Sequence, residues 1–176
     1  MKKIVLAVSG DILPNGRLSS NGRRQVGELE KKFQRHNLTV FDAVIVSSDA
    51  ASQETATILT GGWTSILPAL HLDQHLDHSK IIMEVLICQS LHALLANVGA
   101  AIMNYVANVS AEILHKTHER ETALVIPSGH SVSAVALATA MTNDSKAENV
   151  VLRPGSAIMA ILRWPHHDNG DIAFIE

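Results

Sequence analysis

The sequence holds a single cysteine, Cys88, inside the apolar run Val85-Leu86-Ile87-Cys88. One thiol cannot close an internal disulfide, so it reads as a core side chain and a reducing, cytoplasmic setting is expected. Long hydrophobic runs are also missing: no uninterrupted apolar stretch reaches the length that crosses a bilayer. The short apolar run within Met1 to Val8 is too brief for a signal-peptide core and meets Gly10-Asp11 without a small-residue cleavage site. Charge of one sign is lacking too. A formal net charge of −3 and the absence of any basic run give no reason to expect nucleic acid or an anionic membrane as a partner. There is no internal repeat and no low-complexity segment. What remains is an ordinary globular composition, 47% hydrophobic and 18% charged, in 176 residues, enough for one domain over 1–176 with a substantial core. The ten histidines stand out, and their protonation would change the net charge appreciably between roughly pH 5 and 7.

Apolar patterning predicts alternating strands and helices. Lys3 to Val8 is a continuous apolar run, as in a strand buried on both faces. Ser19, Ser20 and Asn21 carry helix-capping chemistry, and Val26, Leu29 and Phe33 follow at helical spacing. Ala43 to Val46 reads as a second buried strand and Asp49 to Leu59 as a helix ending at Gly61-Gly62. A third strand is expected over Trp63 to Leu67, stopped by Pro68. From about Ser79 to His118 the pattern is helical, with Ile102, Met103, Val106, Val109 and Ile113 on one stripe. Thr122 to Pro127 is another buried strand, Ser131 to Met141 an alanine-rich helix, and Ser156 to Leu162 with Asp171 to Ile175 a closing strand pair. The expected class is α/β: a three-layer sandwich, a mostly parallel sheet with helices on both faces. Ligands of such sheets sit at the carboxyl ends of the strands, here the turns Val8 to Asp11, Ser47 to Ser52 and Pro127 to Ser131.

Three stretches carry a resemblance: Ile4-Val5-Leu6-Ala7-Val8-Ser9-Gly10-Asp11, Leu18-Ser19-Ser20-Asn21-Gly22-Arg23-Arg24-Gln25 and Ser47-Ser48-Asp49-Ala50-Ala51-Ser52-Gln53-Glu54-Thr55-Ala56. They resemble the histidine phosphatase (phosphoglycerate mutase-like) superfamily, with its strand-R-H-G-E/D, L-T-x-x-G-x-x-Q and S-x-x-x-R-A-x-x-T-A patterns. The short Asp11 to Leu18 turn is similar to the compact phosphohistidine-phosphatase branch. The resemblance implies a nucleophilic histidine, two arginines and a second histidine around a phosphate. Laid on it without gaps, Val8 stands at the first arginine, Ser9 at the nucleophile and Ala51 at the second arginine, while Gly10 and Asp11 keep the turn. In Leu124-Val125-Ile126-Pro127-Ser128-Gly129-His130, the gap-free register puts Ser128 at the second histidine; a slip of two residues puts His130 there instead. Each missing arginine removes a charge-assisted contact worth about 1.5–3 kcal/mol, and a serine is a poor replacement nucleophile without an adjacent base.

Other clusters admit chemistry and plainer roles. Gly129-His130-Ser131-Val132-Ser133 is similar to the G-x-S-x-G elbow of α/β-hydrolases, with Ser131 as nucleophile, Asp144 as acid and His166 or His167 as base. Ser133 in place of the last glycine speaks for a capped strand-to-helix turn instead. His71, His75 and His78 would share one face if helical and could hold zinc, or else form a solvated connection. His115 and His118 near a helix end complement its dipole.

The sequence therefore reads as a histidine-phosphatase-like protein that has lost its catalytic centre and acts as a binding module. The residues expected to meet a ligand are Ser9, Gly10, Asp11, Arg17, Ser128, Gly129 and His130, around a vestigial pocket of Val8, Ser9, Ala51, Ser128 and His130. No cofactor or metal is called for. The expected partner is a small molecule or a protein, with homo-oligomerisation open; a residual phosphatase using Ser9 or His130, or a Ser131 hydrolase, is the alternative.

Overall fold

The computed structural model describes residues 1–62, 66–68, 106–117, 121–127, 131–142, 150, 152–163 and 170–175. Strand β1 (Lys2–Ala7) leads into α1 (Ser20–Arg35), β2 (Ala43–Val46), α2 (Ala50–Leu59) and β3 (Ile66–Pro68). A helical stretch over 106–116, here α3, precedes β4 (Thr122–Ile126), α4 (Ser131–Thr142), β5 (Ala157–Leu162) and β6 (Asp171–Ile175). All six strands join one sheet in the order β3-β2-β4-β1-β5-β6. The pairings β2–β3, β2–β4 and β1–β4 are parallel, whereas β1–β5 and β5–β6 are antiparallel. The expected α/β sandwich with a mostly parallel sheet is thus observed, and its last two strands form the expected closing pair, which is antiparallel.

β1 runs through the middle of the sheet, which is why its apolar run is unbroken. Ile4, Leu6 and Val8 enter one core cluster with Val109 and Ile113 of α3 and Leu137 of α4. Val5 and Ala7 enter the other, with Val26, Leu29 and Phe33 of α1 and Ala51, Ala56 and Leu59 of α2. A strand covered by helices on both sides has no polar face to display. The largest buried α1 side chains, Val26, Leu29 and Phe33, contribute about 1.5–3 kcal/mol each on removal from water.

The third strand differs from expectation: it spans Ile66–Pro68 and includes the proline. β3 is an edge strand of the described sheet, so the amide hydrogen that Pro68 lacks is not needed by an outer neighbour. The remainder of Trp63 to Leu67, most of the expected 79–118 helix, and His71, His75, His78, Cys88 and His118 lie outside the described residues.

Candidate functional site

The parallel strands β1, β2 and β4 are neighbours, so their carboxyl ends open on one edge of the sheet. Ser47 and Pro127 directly follow β2 and β4, and Ser9 lies two residues past the end of β1. The first turn is held from both sides. Val8 donates its amide to the Ser156 carbonyl at 2.9 Å, and Gly155 donates to the Ser9 carbonyl at 3.1 Å. Beyond it, Gly10 and Gly22 pack backbone on backbone. A Cβ on Gly10 would stand 2.6 Å from the Cα of Gly22, and one on Gly22 would stand 2.9 Å from the amide nitrogen of Asp11. No side chain fits between the β1 turn and the start of α1.

α1 begins where its capping chemistry says it should. The Ser19 hydroxyl accepts from the Gly22 amide at 2.9 Å, satisfying one of the free donors of the first turn. Gln25, one turn later, accepts from the Asp11 amide at 2.8 Å and donates to the Asp11 carboxylate at 3.2 Å; Asn21 donates to the same carboxylate oxygen. Asp11 is therefore occupied in fixing its turn on α1. α2 is capped in the same manner, the Asp49 carboxylate accepting from the Ser52 amide at 2.8 Å.

Between these turns, buried hydroxyls meet. Ser9 Oγ lies 3.5 Å from Ser52 Oγ, and Ser52 Oγ donates to the Pro127 carbonyl at 3.4 Å. With the Ser52 proton directed at Pro127, Ser9 is the donor of the first contact. Both distances are long, and the relay ends on an amide oxygen that cannot take up a proton. Ser9 and Ser52 are 4% and 0% exposed. Two further polar atoms are buried without a hydrogen-bond partner, Thr55 Oγ1 on α2 and Oδ2 of its capping residue Asp49. Thr55 lies one helical turn from Ser52 and Ala51, on the same face of α2.

The positions at which the resemblance implies arginines hold closed, apolar side chains. Ala51 is 0% exposed in the cluster with Val46 and Ala56, and Val8 is 5% exposed in the cluster with Leu6. Arg17 is exposed. Its charge is felt by Glu54, whose carboxyl is held below the usual range, chiefly by a hydrogen bond from Arg23, against the opposing effect of burial, with the Leu18 amide and the charges of Arg23 and Arg17 adding to the depression. Arg23 Nε and Glu54 Oε1 are 2.5 Å apart, tying α1 to α2. Ser128, Gly129 and His130 lie outside the described residues, so the Pro127 to Ser131 register stays as the sequence left it. Ser131 opens α4, while Asp144, His166 and His167 are also outside the described residues.

Sequence reasoning passed over Ser52, Glu54 and the Pro127 carbonyl. Ser52 had a readable signal, since it sits three residues after a capping aspartate at the mouth of the second turn. Contact with Ser9, 43 residues away, had none.

This six-stranded mixed sheet with helices on both faces matches the fold of solved histidine phosphatases. Solved structures that match the chain include the protein histidine phosphatase SixA complexed with tungstate, with TM-score 0.67, 14% identity, and 97% of this chain and 94% of that one covered. Bacillus stearothermophilus YhfR matches with TM-score 0.65 and 17% identity, over 99% of this chain and 96% of that one. The alpha-ribazole phosphatase from Shigella flexneri matches with TM-score 0.66 and 14% identity, over 98% and 95%. At such identities the likeness is one of fold. No protein-family model matches the sequence, and no curated protein matches it.

Proposed function

We propose that this protein is a single-domain, non-catalytic member of the histidine phosphatase fold, and that the hydroxyl-lined end of its sheet binds a small neutral or weakly polar ligand. The observation that carries this reading is the burial of Val8 and Ala51 at 5% and 0% exposure, at the two positions where phosphate-gripping arginines are implied. A phosphoryl dianion needs fixed positive charge around it, and hydroxyls alone stabilise it poorly. The buried Thr55 Oγ1 and Asp49 Oδ2, each without a partner, leave hydrogen-bonding capacity on α2 that a neutral polar ligand could use. A protein partner and self-association belong to the same reading, as does a cytoplasmic location; no helix among the described residues is long and apolar enough to cross a membrane.

Calorimetric titration with orthophosphate or tungstate tests this: no saturable binding is expected, and tight binding would overturn it. The phosphatase activities of the fold neighbours favour a second reading, residual phosphomonoester or phosphohistidine hydrolysis through Ser9 or His130. Turnover of 4-nitrophenyl phosphate that disappears in Ser9→Ala or His130→Ala would establish that second reading in place of the first.

A further inference from the structure

Behind the loop that braces the first turn, a cavity of about 550 Å³ opens between α1 and the β5–β6 edge of the sheet. That volume lies within the roughly 300–1,000 Å³ typical of small-molecule sites. Its apolar lining includes Leu152, Pro154 and Ile175, together with Phe174, a large aromatic left 37% exposed. Its charged lining is mainly positive. Arg24 and Lys32 lie two turns apart along α1, Arg153 stands on the wall formed by the loop before β5, and Glu28 is the one carboxylate among the described lining residues. Arg24 is committed to Glu28 at 2.5 Å and to Asn21 at 2.7 Å. Lys32 and Arg153 form no ion pair with the described residues, so two cations face a hollow of mixed polar and apolar lining in a chain whose formal net charge is −3.

The wall carrying Arg153 is fixed. Ser156 donates to the Arg153 carbonyl through its amide at 3.1 Å and its hydroxyl at 2.5 Å. Gly155, at φ 69°, brings the loop against α1 so closely that a Cβ would stand 2.6 Å from the Gln25 Cβ. The loop is thus docked on α1 at Gln25, and Gln25 and Lys32 both line the cavity.

We propose that this cavity is a binding site for a small organic anion, a carboxylate or sulfonate with an apolar body. The anionic head lies between Lys32 and Arg153, and the body covers Leu152 and Phe174. The charge of the head matches the two cations that pair with no described residue, and burial of the body removes Phe174 from water. The proposal does not depend on the reading given to the Ser9 turn.

The test is fluorescence titration of the full chain with 8-anilinonaphthalene-1-sulfonate, with uncharged N-phenyl-1-naphthylamine as comparator. One saturable site is expected. The double variant Lys32→Gln/Arg153→Gln should weaken the sulfonate about tenfold or more and leave the uncharged probe unchanged. Phe174→Ser should weaken both probes. Arg163→Gln, whose parent side chain pairs with Asp171 outside the lining, should change neither. Sulfonate affinity unchanged in the double variant, or reduced equally by Arg163→Gln, would overturn the proposal. Should the double variant fail to fold, Glu28→Gln decides: removing the lining carboxylate should tighten the sulfonate, and an unchanged or weaker affinity refutes the site.

Discussion

The Ser9 hydroxyl stands 3.5 Å from the Ser52 hydroxyl, which reaches the Pro127 carbonyl at 3.4 Å, so α2 bridges the ends of β1 and β4. Contacts this long hold little energy, and Ser9 has no described base to activate it. Ser9→Ala and Ser52→Ala should each cost about 1 kcal/mol or less by urea denaturation. A loss above about 3 kcal/mol for either would reveal a far stronger network than these two contacts make.

Restoring the arginine implied at position 51 should not restore a phosphate site. Ala51 is fully buried among Val46, Ala56 and their neighbours, so Ala51→Arg forces a guanidinium into apolar packing. The expected cost is about 3 kcal/mol or more, read from the urea midpoint. An Ala51→Arg protein as stable as the parent, and now binding orthophosphate, would show that this end of α2 opens readily.

Two glycines of α1 should respond in opposite directions. Gly22→Ala drives a methyl group into the Asp11 backbone and should destabilise by about 2 kcal/mol. Gly27, in the middle of the same helix, has nothing within 4 Å of its missing Cβ. Gly27→Ala should stabilise by about 0.5–1 kcal/mol through reduced freedom of the unfolded chain. Thermal unfolding of the two variants beside the parent checks both signs.

Acid should loosen the α1–α2 contact. The Glu54 carboxyl is depressed in the folded state by the hydrogen bond from Arg23, more than burial raises it, so the folded protein binds fewer protons than the unfolded chain in that range. The stabilisation is complete above the ordinary carboxylate value of 4.5 and is lost as pH falls through the lower folded value. Arg23 is 49% exposed in its side chain, which limits the effect to less than about 1 kcal/mol. Glu54→Gln should lower the urea midpoint slightly at neutral pH and remove part of its acid dependence. A pH profile identical to the parent's would mean that solvent screens the pair completely.

Strands and helices were largely legible because each displays its own periodicity: β1 by its unbroken apolar run, α1 by Ser19 and the spacing of Val26, Leu29 and Phe33. Sequence patterning puts Pro68 just past the third strand, whereas it is that strand's last residue; a proline is tolerated there because the strand lies at the edge of the described sheet. The cavity beside Arg153 left no trace in the sequence, because its walls come from α1, the loop before β5, and β6.

By itself, the amino-acid order determined the alternation of elements, the capping of α1 and α2, and the small residues at positions 8, 9 and 51. Those are local properties, set by side-chain chemistry within a turn or two of the chain. Only the tertiary structure decided that Val8 and Ala51 are closed into opposite core clusters, that Ser9 meets Ser52, and that Lys32 and Arg153 face one hollow. Each of those relations joins residues far apart in the chain, and only the packing of helices on the sheet brings them together.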